Sequence, residues 1–225
     1  METKSEYLAK YNRDLQGEKV VGDYLDTYFY PTWTSTISRN NDKATQVRGV
    51  DITVTSYDNV EYVIDEKAAI NYANKNLQTF ALEVDRYISN GMLMNGWLLE
   101  KNKLNDWWLF VWLDETTGKL NSKDDIKAAT VSLIKVRDVY EYFHSHNIYG
   151  SDIKNRATVL REEADYYGST MSNNLGGFKM VVNTKNFERG CNILIPRSEL
   201  INTISTYSVQ IKDGKVTPLR IKPRQ

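Results

Sequence analysis

At 225 residues and 26.0 kDa the chain is long enough to bury one sizeable core, and 41% hydrophobic with 12% aromatic residues excludes a low-complexity or disordered chain. Lysine plus arginine equals aspartate plus glutamate at 29 each, which removes the strongly basic balance of a simple nucleic-acid binder but not a local basic face. One cysteine, Cys191, excludes an internal disulfide framework and a cysteine cluster for zinc. With no apolar leader and no run near the ~18 apolar residues that span a bilayer, a cytoplasmic protein without a membrane partner is expected.

In chain order, Tyr7, Leu8, Tyr11, Leu15, Val20, Val21, Tyr24, Leu25 and Tyr28 recur at helical spacing, so residues 5–28 form a helix, bent or split near Gly17 with Glu18 opening its second part. Pro31 stops it, and Thr32 to Ser38 alternates like a strand. RNNDKATQ reads as a polar loop before a second strand, VDITVTS; Tyr57 to Asn59 turns into a third, VEYVIDEKAA. Leu77, Phe80, Ala81, Val84 and Ile88 then share one helical face, predicting a helix closed by Asn90 and Gly91.

NGWLLEKN and DWWLFVWLDE read as a hairpin whose second strand is apolar on both faces and therefore central. ATVSLIKVRDVYEYFHSHN is either one helix or a strand feeding a helix near Arg137. Its echo in NILIPRSELINTI, where Pro196 forbids a continuous helix, favours the second. SDIKNRATVLREEADYYG predicts an exposed helix, STMSNNLGG a loop and FKMVVNT a strand. The tail carries Lys215, Arg220, Lys222 and Arg224, more often a solvated end than a clamp but the best local candidate for phosphate contacts. No glycine-serine linker divides the chain, so a single domain is expected.

The chemistry concentrates between Gln46 and Lys67. Apolar residues flank Asp51 and precede Asp65, so these carboxylates stand where a sheet buries hydrocarbon, which is expensive unless they are paired or bound to a cation. Alternation points Asp65 and Lys67 the same way and Glu66 the other. Two convergent acids and a lysine suggest a metal-dependent site. Hard oxygen ligands suit Mg²⁺, with Mn²⁺ as substitute, and such ions keep several waters in their coordination shell.

Helix, three antiparallel strands, Asp on the second, Asp-Glu-Lys on the third and then a helix and a further strand resembles the core of the PD-(D/E)XK nuclease superfamily, the restriction-endonuclease-like fold. The resemblance covers residues 15–115; residues 116–225 would be a C-terminal α+β elaboration of one nuclease-like α/β domain. It implies a Mg²⁺-dependent deoxyribonuclease, an endonuclease ahead of an exonuclease, with DNA as partner. A homodimer is a common arrangement among duplex cutters of this fold. It further implies that Asp51 and Asp65 bind metal and that Lys67 positions the attacking water, with the Glu66 carbonyl available as another ligand. Gly49 and Val50 precede Asp51 where a proline would spell the motif's name.

In some branches a glutamate on the first helix reaches the metal, which would be Glu18, and a glutamine on the next helix orients the site, which would be Gln78. Without the family, Glu18 is a first-turn acid favoured by the helix dipole. Leu82 stands where a tyrosine often follows that glutamine.

Acid-any-lysine spacing alone carries little weight, because Glu2 to Lys4, Asp125 to Lys127 and Asp152 to Lys154 also match it. Only the Asp65 match ends an apolar strand. The competing readings are a binding or interaction module without catalysis, and a structural protein in which Asp65 and Lys67 form a strand-end ion pair while Asp51 sits at an exposed edge. His144 and His146, two apart on a helix, diverge by about 200 degrees and suit no shared ligand. Cys191 reads as a buried small hydrophobe and the tryptophans as core.

Overall fold

A computed structural model describes residues 4–88, 90–184 and 188–221, with side chains from residue 12 onward. The elements run α1 (Lys4–Tyr28), β1 (Thr34–Arg39), α2 (Lys43–Val47), β2 (Ile52–Ser56), β3 (Glu61–Ala68), β4 (Thr79–Tyr87), β5 (Leu93–Asn95), β6 (Trp107–Thr116) and β7 (Ile126–Lys135). There follow α3 (Val136–Ser145), α4 (Gly150–Tyr167), β8 (Met171–Leu175), β9 (Phe178–Val182), β10 (Cys191–Pro196), α5 (Arg197–Glu199), β11 (Tyr207–Lys212) and β12 (Lys215–Ile221). The protein is mixed α/β, with a seven-stranded mixed sheet and a five-stranded antiparallel sheet in two compact units. No helix among the described residues is long and apolar enough to cross a membrane.

The seven-stranded sheet is ordered β1-β2-β3-β6-β7-β11-β12. Every pair is antiparallel except β3 with β6, which run parallel with Asp65 beside Trp108 and Lys67 beside Phe110. A parallel pair needs a long crossover, and residues 69–106 supply it. β6 lies fourth of seven, and its residues from Trp107 to Leu113 are all buried, as a run apolar on both faces requires. One face packs Ile52, Val54, Ile64, Leu109, Val111, Val131 and Val209 against Val20, Val21, Tyr24 and Leu25 of α1. At about 1.5–3 kcal/mol per fully buried aliphatic or aromatic side chain, this face is what holds α1 in place.

Helix α1 is continuous where a break near Gly17 was expected. Gly17 is buried with the Ile70 side chain 3.0 Å from where its Cβ would be, so the glycine admits a neighbour rather than a bend. Tyr7, Leu8 and Tyr11 lie outside the described side chains, as do Lys222 and Arg224 of the tail. The expected polar loop contains α2, capped by Asp42 accepting the Thr45 N–H at 2.9 Å.

The five-stranded sheet, β5-β4-β10-β9-β8, overturns the helix expected over residues 70–91. Phe80, Leu82 and Val84 are buried in alternation, a period-2 signal hidden inside the same residues that satisfy helical spacing. β4 pairs with β10 from Thr79↔Pro196 to Asp85↔Cys191, and that distant partner decides the conformation. The hairpin expected before β6 is absent too: Leu93–Asn95 pairs with β4 through a turn in which Gly91 has φ 80°. STMSNNLGG is not a loop. Gly176 and Gly177, at φ 55° and 92°, turn β8 into β9.

Helix α4 buries Ile153, Ala157, Leu160 and Ala164 along one stripe. The strand-to-helix switch at Arg137 is present, with β7 feeding α3, and β10 feeding α5 reproduces its echo. Cys191 and the tryptophans of β6 are core.

Candidate functional site

Asp51 stands at the mouth of β2, already held in the ladder: its N–H donates to the Ile64 carbonyl at 3.1 Å and its carbonyl accepts the Asn40 N–H at 2.9 Å. Gly49, at φ 83°, makes the left-handed turn that aims the chain into this strand, a conformation costly for any residue with a Cβ. Ile52 pairs with Ile64, so Asp51 and Asp65 are cross-strand neighbours on one face. β2 lies between β1 and β3, and Asp51 is half-buried rather than at an exposed edge.

Asp65 is 1% exposed and forms an ion pair with Lys67. The Glu66 N–H between them donates to the Asp51 carboxylate at 2.8 Å. In-register neighbours in β6 are the buried Trp108 and Phe110, which make this flank apolar.

Burial, then the Asp65 charge, pushes Asp51 up to about 7; Lys67 and the Glu66 N–H pull the other way without cancelling it. Burial disfavours the Lys67 ammonium, but Asp65, Asp51 and Glu18 outweigh it and hold its pKa above the ordinary lysine value. α1 brings Glu18 into the same electrostatic shell. Burial of its surroundings raises its pKa first, Lys67 opposes, and Asp14, Asp65 and Glu66 add to the rise. The Glu18 side chain itself is solvent-exposed, so screening tempers that shift.

Glu66 points to the opposite face, as alternation requires. Its carboxylate accepts the Tyr30 hydroxyl at 2.6 Å and Arg39 Nη1 at 2.9 Å. Sequence reasoning misses Arg39, Tyr30 and Asp26 altogether: it ends the first strand at Ser38 and leaves Arg39 in the polar loop, whereas β1 runs to Arg39. Gln78 is not on a helix. It precedes β4, and its amide donates to the Asn76 carbonyl and side chain, both at 2.8 Å. No described contact links it to Asp51, Asp65 or Lys67.

The decoys are local caps. Asp125 accepts the Thr117 hydroxyl and the Asn121 and Ser122 N–H groups, which lower it to about 2. Asp152 accepts the Tyr149 N–H at 2.8 Å at the start of α4. Glu2 lies outside the described residues. His146 Nδ1 contacts the Tyr142 carbonyl at 2.9 Å just past the end of α3.

Two close carboxylates with a lysine on one half-buried face can exchange a proton near neutrality or hold a hard cation. Among the described residues no group of three His, Cys, Asp or Glu side chains is arranged to hold a metal ion. The donors are the Asp51–Asp65 pair, with the Glu66 carbonyl on the same strand and Glu18 nearby. This set fits a small divalent cation in chemistry, because its oxygens are hard and a cation would replace the proton that Asp51 otherwise holds up to about pH 7. Comparison with protein-family models, with curated proteins and with solved structures finds no match.

Proposed function

We propose that the chain is a divalent-metal-dependent deoxyribonuclease of the restriction-endonuclease-like class, an endonuclease ahead of an exonuclease. The observation that carries the reading is the Asp51–Asp65 pair, delivered by adjacent strands onto one face with Lys67. The order α1, β1, β2, β3 and the parallel placement of β6 beside β3 support it. The segment between β3 and β6 departs from the pattern, since β4 and β5 stand where a helix would deliver Gln78.

A phosphodiester is anionic and its alkoxide is a poor leaving group, so hydrolysis needs positive charge at the phosphate and a positioned water. Asp51, Asp65 and the Glu66 carbonyl would hold Mg²⁺ or Mn²⁺, with the Glu18 carboxylate as a further negative charge acting on the site. When bound, the ion supplies Lewis acidity and a water of lowered pKa. Lys67, kept charged by its three acidic neighbours, would orient the attacking water and stabilise charge developing on the phosphoryl oxygens.

Purified protein incubated with plasmid and linear DNA in Mg²⁺ or Mn²⁺ tests the reading against Asp65→Ala. Cleavage by the wild type alone is expected; equal cleavage by both proteins overturns it. The alternative is a catalytically inactive nucleic-acid-binding or protein-interaction module on the same scaffold. In that reading the Lys67–Asp65 ion pair is purely structural. DNA binding that persists without any Mn²⁺-induced rise in melting temperature would select that alternative.

A further inference from the structure

Glu66 is hydrogen-bonded both to the site and to groups on the opposite face of β3. On the site face its N–H holds Asp51 at 2.8 Å, and on the other face its carboxylate is gripped by Tyr30 and by both terminal nitrogens of Arg39, at 2.9 and 3.2 Å. The same guanidinium makes a two-pronged contact with Asp26 of α1 at 2.7 and 2.8 Å and donates to the Gly22 carbonyl at 2.9 Å. Burial and the adjacent Glu66 hold the Tyr30 hydroxyl well above its ordinary pKa, so it stays a donor.

Gly22 is where helix and guanidinium meet most closely. A Cβ there would fall 2.9 Å from the guanidinium carbon, so the fork lies flat on the helix backbone. Glu18 precedes Gly22 by one helical turn and shares its side of α1. One planar group therefore ties the turn after Glu18 to the strand residue between Asp65 and Lys67.

We infer that Arg39 is a positioning residue for the Asp51–Asp65–Lys67 site: through Glu66, Asp26 and Gly22 it sets the separation between the β3 ligands and Glu18. This rests on the metal-site reading above. An ion pair that merely added stability would need only a charge at position 39. A positioning fork needs the planar donor set, because an ammonium cannot reach Asp26, Gly22 and Glu66 together in this geometry.

The test compares Arg39→Lys and Arg39→Met with Arg197→Lys, which weakens a comparable half-buried pair between α5 and Asp114 of β6 (2.7 Å). Mn²⁺ is titrated against melting temperature and against DNA cleavage, with kcat and KM for DNA separated. Both Arg39 variants are expected to need about tenfold more Mn²⁺ or beyond, as loss of an outer-sphere support does, and to lower kcat with KM within about twofold. Arg197→Lys is expected to lower melting temperature without moving the Mn²⁺ requirement. If Arg39→Lys restores the wild-type Mn²⁺ curve, charge alone suffices and the inference fails while the site stands. If neither Arg39 variant folds, Gly22→Ala, which displaces the fork without removing it, must shift the Mn²⁺ curve; an unmoved curve overturns the inference. A wild type that shows no Mn²⁺ effect overturns the metal site and the positioning role together.

Discussion

Each unit of the protein buries an acid against a base, and the two clusters differ in their charge balance. In the five-stranded sheet Asp85 pairs with Arg161, whose Nη1 donates to the Arg189 carbonyl at 2.8 Å and whose guanidinium lies 4.8 Å from the centre of the Tyr87 ring. In the seven-stranded sheet two buried or half-buried acids, with Glu18 nearby, share one lysine. Burial raises the pKa of both Asp85 and Asp51, and Arg161 opposes it at Asp85. At Asp51 a second carboxylate reinforces it and carries the group to about 7. Burial alone therefore does not mark a site. What sets the Asp51–Asp65 cluster apart is its excess of acid over base, which in the proposed reading a cation would relieve.

Exchanging the acids is the strongest way to break this contrast. Asp65→Ala is expected to reduce DNA cleavage by about 10³-fold or more in a protein that still melts cooperatively. Asp85→Ala strands Arg161 as a buried charge and is expected to cost about 3–5 kcal/mol by denaturant unfolding, with cleavage per folded molecule retained. Reversal of the two phenotypes would assign the chemistry to the wrong sheet.

Metal and pH sharpen the contrast further. Saturating Mn²⁺, at about 100 times its dissociation constant, is expected to stabilise the wild type by about 2.7 kcal/mol, and Asp51→Asn is expected to lose most of that. Without metal, a carboxyl with a raised folded-state pKa contributes stability at low pH and loses it as pH rises through the folded value. Asp51, ordinary at 3.8 and near 7 when folded, therefore makes the metal-free melting temperature fall between about pH 4 and 7. Asp51→Asn should flatten this window in a pH series of melting curves; Asp85, raised in the same direction, leaves a residual slope. The smallest effect belongs to a decoy. Asp152→Ala, which removes the acceptor of the Tyr149 N–H, should leave cleavage and Mn²⁺ response unchanged and cost about 1 kcal/mol at the start of α4.

Much of the site was legible because a strand's period is short and local. Reading Ile64, Asp65, Glu66 and Lys67 as strand is enough to separate Glu66 from its neighbours, and the contacts to Tyr30 and Arg39 confirm that separation. Turn residues between β2 and β3 made the cross-strand position of Asp51 readable too. Gln78 shows where such reading stops. Its assignment depended on a helix, and residues 79–87 satisfy helical and strand spacing together; pairing with Cys191–Pro196 resolves the ambiguity.

By itself the sequence determined the alternation that puts Asp65 and Lys67 on one face, the central burial of Trp107 to Leu113, and the switch from strand to helix at Arg137, since each depends on residues a few positions apart. Only the tertiary structure decided that β4 is a strand, that α1 runs unbroken past Gly17, and that Arg39 grips Asp26, Gly22 and Glu66 at once. Those outcomes rest on partners brought together by packing, and the free energy of a contact between distant segments has no local signature.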